Sequence, residues 1–328
     1  MDTNALTPRS PFRAGLFLVL FLTLVGCARE PDSAHATQAA PAPDARPAST
    51  MDALPRLAVP AGGELPLAIV LGKGAEVLDF TGPLEVFAAA GTEDGHPLFK
   101  PYFVAQTKEP VTVFGNMRVI PDYTFADAPA PKVVVIPAME GDTPEMLDWI
   151  RKVSSGTDVT MSVCNGAFVL ARTGLLDSRP ATSHHGGYFR FAGEFPKVKL
   201  QRGARFTESG NLATSGGISS GIDLALRVVA RYLGDESAHA IADGMEYHGP
   251  GWHDGRSNMA YARMPEGDSK TPKCPLCGMD ADPSITSVFK GKSYAFCSVG
   301  EKEYFDKHLD VAERFLAEDA ALDAVKSK

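Results

Sequence analysis

The residues most able to do chemistry here are the cysteines, Cys27, Cys164, Cys274, Cys277 and Cys297. They form an odd, unevenly spread set, which is no disulfide framework, so each needs its own explanation. Cys164 falls between a strand-like run, 159–163, and a helix-like run, 167–176, in the order Cys164-Asn165-Gly166. A thiol on a sharp strand-to-helix turn stands at the carboxyl end of a sheet. It faces the free N–H groups and the positive dipole of the next helix. That field favours a thiolate and predicts a lowered thiol pKa, and the Asn165 N–H is placed to stabilise an oxyanion. A buried structural cysteine is the alternative. Cys274-Pro-Leu-Cys277, followed by Cys297, offers different chemistry. A C-x-x-C knuckle puts two thiolates on one soft metal, and a third on a facing element makes most of a tetrahedral site. The alternative is a metal-free remnant with Cys274 and Cys277 oxidised to each other outside the cytoplasm.

The elements that must hold Cys164 read as an α/β layer fold. The runs 67–71 and 132–136 are short and apolar, as buried parallel strands are. Segments 101–106 and 112–120 read as two further strands. Val77, Leu78, Leu84, Val86 and Phe87 mark a helix running to Gly91. Thr143 is placed to cap a helix carrying Met146, Leu147, Trp149 and Ile150. Strands alternating with helices predict a mainly parallel sheet.

The N-terminus has Arg9 and Arg13 before an apolar run, 14–25, the length of a signal-peptide core and short for a membrane span. It ends in Leu24-Val25-Gly26-Cys27, which resembles the lipobox of bacterial lipoproteins. The resemblance implies cleavage before Cys27, its lipidation, and a body held at the bacterial envelope on an extracytoplasmic face. Residues 28–64, rich in Ala, Pro, Asp and Ser, predict a disordered tether. The formal net charge of −8 argues against a nucleic-acid partner, since backbone binding needs a basic face.

Several stretches between residues 67 and 248 resemble the ThiJ/PfpI family, of the class I glutamine-amidotransferase-like superfamily. They are Leu78-Asp79-Phe80-Thr81-Gly82-Pro83, Ser162-Val-Cys164-Asn165-Gly166-Ala-Phe168, Ala181-Thr-Ser-His184, and Thr214-Ser-Gly-Gly-Ile-Ser-Ser-Gly-Ile-Asp223. The resemblance implies a flavodoxin-like three-layer sandwich with a cysteine nucleophile elbow, no cofactor in this domain, and a homodimer. It makes Cys164 the nucleophile and Asp79 the acid that shares its proton; the alternative for Asp79 is a helix N-cap. It places His184 near the thiol. Isonitrile-hydratase-like enzymes are the relatives it suggests, with hydration or hydrolysis of a small electrophilic substrate as the activity. Pro137-Ala138-Met139-Glu140-Gly141 departs from the Pro-Gly-Gly common in relatives, and Asn165 from a common Thr.

Beyond a Gly- and Pro-rich stretch, 249–270, whose His253 reads as a solvated loop histidine along with His248, residues 273–309 resemble the small metal-associated YHS/TRASH domains. There Cys274, Cys277 and Cys297 would bind Cu(I) trigonally, or Glu301, at the position of the family's usual fourth cysteine, or His308 would complete a zinc site. The expected organisation is a signal, 1–26; a tether, 27–64; the ThiJ/PfpI-like domain, 65–248; a linker, 249–270; a small Cys-rich α+β module, 271–312; and a surface helix, 313–328. The rival reading is a non-enzymatic envelope protein that senses a ligand or oxidation at Cys164 and captures a soft metal.

Overall fold

The apolar runs pair into one seven-stranded sheet. A computed structural model describes residues 55–60, 64–92, 95–249, 251–268 and 270–326. The signal segment 1–26, Cys27 and the tether as far as residue 54 lie outside the described residues. The strands are β1 (Leu65–Val70), β2 (Phe99–Ala105), β3 (Tyr123–Thr124), β4 (Val133–Ile136), β5 (Val159–Ser162), β6 (Phe206–Ser209) and β7 (Leu212–Ser215). They lie in the order β6-β7-β5-β4-β1-β2-β3. All neighbours are parallel except β6 and β7. β1, β4 and β5 are central, and their runs are apolar because both faces are covered.

On one face Leu67 and Ile69 of β1 pack with Phe80, Val86 and Phe87 of α1 (Val77–Ala89). Leu224 and Val228 of α5 (Ser220–Leu233) and Ala238 of α6 (Asp235–Gly244) join them. On the other face Ala68 and Val70 meet Trp149 and Ile150 of α2 (Pro144–Ser154) and Leu170 of α3 (Gly166–Arg172). The result is a flavodoxin-like three-layer α/β fold with a mostly parallel sheet. Thr143 caps α2, its hydroxyl accepting from the Met146 N–H at 3.2 Å.

Four sequence readings change. Segment 112–120 is a tight hairpin, Val111–Thr112 against Arg118–Val119, because Gly115 and Asn116 take left-handed turn conformations. The helix after Cys164 stops at Arg172, with Gly174 left-handed just beyond it. The end of the tether is held: the Leu57 N–H donates to the Arg231 carbonyl, and Leu57 packs against the core. The stretch 249–270 is more than a linker, since Trp252 is buried against the core of α5 and α6 and Asn258 bonds to Arg205. Its polar composition masked those two anchors.

Around the remaining cysteines stand a two-stranded hairpin, β8 (Asp282–Phe289) with β9 (Lys292–Phe296), and two helices, α7 (Val299–Lys307) and α8 (Leu309–Lys326). Their core is aromatic and is shared with α4 (Tyr188–Glu194). Phe305 stacks on Phe189 at 5.6 Å and also meets Tyr294 and Phe296. Phe189 and Tyr188 of α4 face this core, whereas Phe191 faces the sheet. The helix expected on the surface is therefore anchored, with Val311, Ala312 and Phe315 buried. Arg202, whose side chain is only 4% exposed, pairs with Glu318 and Asp319 of α8. The described residues form a single compact unit.

Candidate active site and cysteine cluster

Cys164 sits where β5 turns into α3, with φ at +57°. A non-glycine residue in this region is strained by about 1–2 kcal/mol. Several contacts impose the conformation. The Cys164 N–H donates to the Gly216 carbonyl at 3.0 Å, and the Ser183 hydroxyl donates to the Cys164 carbonyl at 3.2 Å. Gly166 is forced by close approach: a Cβ there would lie 2.1 Å from the Ile136 carbonyl oxygen. The elbow read from Cys164-Asn165-Gly166 is present, and its thiol is only 6% exposed.

Asp79 lies in the first turn of α1, inside the helix, so it is not the N-cap, a position held by Glu76. Its Oδ2 accepts the Ala138 N–H at 2.9 Å, while Oδ1 is buried with no hydrogen-bond partner. Burial pushes its carboxyl up to about 7, with a further rise from Glu76, against a lowering by the Ala138 N–H. The Cys164 thiol is pushed up to about 12, first by burial and then by the charge of Asp79. The N–H groups of Ile218 and Asn165 point at its sulfur and act in the opposite direction. The expectation of a lowered thiol pKa is thus overturned: desolvation and a neighbouring carboxylate outweigh the helix field. At neutral pH the pair holds a neutral thiol beside a carboxyl poised to take its proton.

His184 is brought to the same region but to a different neighbour. Its ring lies on Gly217, where a Cβ would come within 2.6 Å of Cδ2. Its Nδ1 accepts the Gly186 N–H at 3.0 Å, which assigns the remaining proton to Nε2. Burial and the adjacent His185 lower its pKa to about 4, so it is neutral near pH 7. A cleft of about 460 Å³ opens at the carboxyl ends of β1 and β2, lined by Gly72, Gln106, Thr112, Thr143 and Met146 among others; Cys164, Asp79 and His184 are not in its lining.

Cys274, Cys277 and Cys297 converge, their sulfurs all within 4.8 Å of one another. The knuckle closes through Gly278 N–H to the Cys274 carbonyl at 2.8 Å, with Gly278 left-handed. Cys297 follows β9 just before Ser298, whose hydroxyl caps α7 by accepting the Glu301 N–H. The Cys277 and Cys297 sulfurs are 3.5 Å apart, and all three cysteines are free. Burial raises the Cys277 thiol to about 12 and raises that of Cys297 too. Three convergent free thiols suit a soft metal ion, whose binding would release their protons. Glu301 is close enough for its charge to act on Cys297. Its Oε1 accepts from Arg190 at 2.8 Å, and its Oε2 is buried without a hydrogen-bond partner. His308 instead stacks on Tyr304 and bonds to the Tyr304 carbonyl.

Sequence reading missed four contributors: the N–H groups of Ile218 and Ala138, the Ser183 hydroxyl and Arg190. Backbone donors carry no side-chain signature. The one trace was the Gly216-Gly217 pair, which lets the chain pass closely under Asn258 and His184.

Residues 67–231 match the profile of the DJ-1/PfpI family. The isonitrile hydratase of Pseudomonas putida is 31% identical over 188 residues, 56% of this chain and 78% of that protein. The HTH-type transcriptional regulator GlxA of Rhizobium meliloti (strain 1021) is 37% identical over 108 residues, 30% of this chain and 33% of the regulator. Among solved structures, the crystal structure of a ThiJ/PfpI family protein from Pseudomonas syringae aligns with a TM-score of 0.51 at 26% identity. It covers 66% of this chain and 85% of that one.

Proposed function

The chain belongs to the DJ-1/PfpI family, and from that premise we propose that it is a cysteine-dependent hydratase or hydrolase of small electrophilic molecules, isonitrile-hydratase-like in its chemistry. The observation that carries this reading is the Asp79–Cys164 pair, a buried carboxyl poised near pH 7 beside a thiol on a strained elbow. The near-burial of Cys164 suits a small, slender substrate.

With an isonitrile, ionised Asp79 takes the thiol proton as Sγ attacks the terminal carbon, and returns it to that carbon, giving a thioimidate. Water then adds across the C=N bond with Asp79 again moving the proton. The tetrahedral adduct expels the thiol and leaves an N-substituted formamide, so one water is consumed and no electrons change hands. The N–H groups of Ile218 and Asn165 steady negative charge as it develops on sulfur. Neutral His184 shapes the turn that carries Ile218.

In the same reading the protein is a homodimer, held at an extracytoplasmic face of the bacterial envelope through lipidated Cys27. Its C-terminal part is a YHS-like module binding zinc or Cu(I) through Cys274, Cys277 and Cys297, with Glu301 as the fourth ligand for zinc. The test is formamide formation from a set of isonitriles. Loss in Cys164→Ala with turnover remaining in Cys274→Ser supports the enzyme. Turnover independent of Cys164 would sink it. The second reading, a non-enzymatic ligand or redox sensor, is favoured by the same thiol's raised pKa, which makes it sluggish without a specific substrate. It predicts ligand binding with no product at all.

A further inference from the structure

One loop separates the two cysteine sites. Residues 182–187 run from the elbow side of the sheet into α4. The Ser183 hydroxyl lies within hydrogen-bond distance of two acceptors, the Cys164 carbonyl at 3.2 Å and Asn165 Oδ1 at 3.1 Å. His184 lies on Gly217, immediately before Ile218, whose N–H faces the Cys164 sulfur. On its other side the same loop meets the metal-ligand knuckle. A Cβ at Gly186 would lie 3.0 Å from the Cys277 carbonyl oxygen and 3.1 Å from His184 Nδ1, so only glycine leaves these groups in register. The contact therefore runs from the Cys277 carbonyl through Gly186 and the His184 ring to the Gly217–Ile218 turn, and so to Cys164. Every link is backbone or a held ring, with no long flexible side chain between.

We infer that a soft metal ion held by Cys274, Cys277 and Cys297 sets the reactivity of Cys164 through loop 182–187. This rests on the metal reading above. The knuckle is closed by its backbone bonds, and the Cys277 and Cys297 sulfurs lie 3.5 Å apart. Tying three sulfurs to one ion removes the freedom of the Cys277 peptide and fixes its carbonyl against Gly186. That holds His184 in place and keeps the Ile218 N–H aimed at sulfur. Ordering at one site that another site would otherwise have to supply is a coupling in its own right. Couplings of this kind commonly reach about fivefold or more.

The test uses the full chain in detergent, freed of metal under reducing conditions, with and without one equivalent of zinc. Iodoacetamide is added at one near-neutral pH, and peptide mass spectrometry follows Cys164 separately from the other three thiols. Zinc is expected to protect Cys274, Cys277 and Cys297 and to speed alkylation of Cys164 by about fivefold. Gly186→Ala is expected to keep the zinc protection and lose the acceleration. Should that variant fail to fold, His184→Ala removes the bridging ring instead. Protection of the three thiols with Cys164 unchanged or slowed overturns the coupling and leaves the metal reading intact. Absence of any protection overturns both.

Discussion

The two cysteine regions of this molecule solve opposite problems. At Cys164 one thiol is isolated, pressed into a strained turn between β5 and α3, with a carboxyl to share its proton. At Cys274, Cys277 and Cys297 three thiols are gathered by a loose knuckle and a strand end, on a scaffold made of one aromatic core. The elbow is fixed by a close backbone approach at Gly166 and by bonds to the Cys164 backbone; the cluster rests on a core of aromatic side chains. In both regions burial pushes thiols up, Cys164 at the elbow and Cys277 and Cys297 at the cluster. In the proposed reading the remedy at the elbow is a carboxyl at hand, and at the cluster it would be a metal ion taken in exchange for the protons.

Two helix glycines sharpen the contrast, at its two extremes. Gly166→Ala would drive Cβ into the Ile136 carbonyl, and the backbone there cannot yield. A loss of at least about 4 kcal/mol, or failure to fold, is expected by denaturant titration; a mild effect would show that the elbow is pliable. Phe305→Ala, which empties the aromatic core under the cluster, is expected to cost about 3–5 kcal/mol. Because that core includes α4, a single unfolding transition is expected; two transitions would separate the regions.

Asp79→Asn comes next and carries a sign. The folded carboxyl titrates near 7 against an unfolded value of 3.8. Its contribution to stability is therefore full below the unfolded value and is lost as pH rises through about 7. At pH 8 the amide variant should be roughly 2–4 kcal/mol more stable than the parent, and the two should converge in acid. The same variant should lose about 10²–10⁴-fold in turnover. The parent's kcat/KM should climb with pH through about 7, where the base becomes ionised. A variant that is destabilised at pH 8 would place the carboxyl outside this role. Smallest is Gly300→Ala in α7, where an added Cβ meets nothing closer than 3.9 Å. It should stabilise by about 0.5–1 kcal/mol in a thermal melt, the reverse of Gly166→Ala.

The elbow was legible in sequence because strand, cysteine and glycine all had to be contiguous. Asp79 was legible only through its family pattern, since nothing local distinguishes it from a cap. The ionisation of Cys164 was misread. A sequence displays the helix that follows a thiol but not the depth at which both lie, and depth decides the sign here. Ile218 was invisible because its contribution is an N–H on a residue with no polar side chain. Trp252 and Asn258 were hidden in a stretch whose average composition reads as linker. In each case the missing information is a contact between segments far apart in the chain.

Helix α4 carries a consequence for how the protein is made. Its Arg190 meets Glu301, 111 residues further along. A chain emerging amino-terminus first must leave one face of this short helix, with Tyr188 and Phe189, bare until that later segment arrives. Wherever the chain folds, Tyr188 and Phe189 stay bare until that segment docks, so a chain cut short before residue 299 would display a sticky aromatic strip on its α/β body.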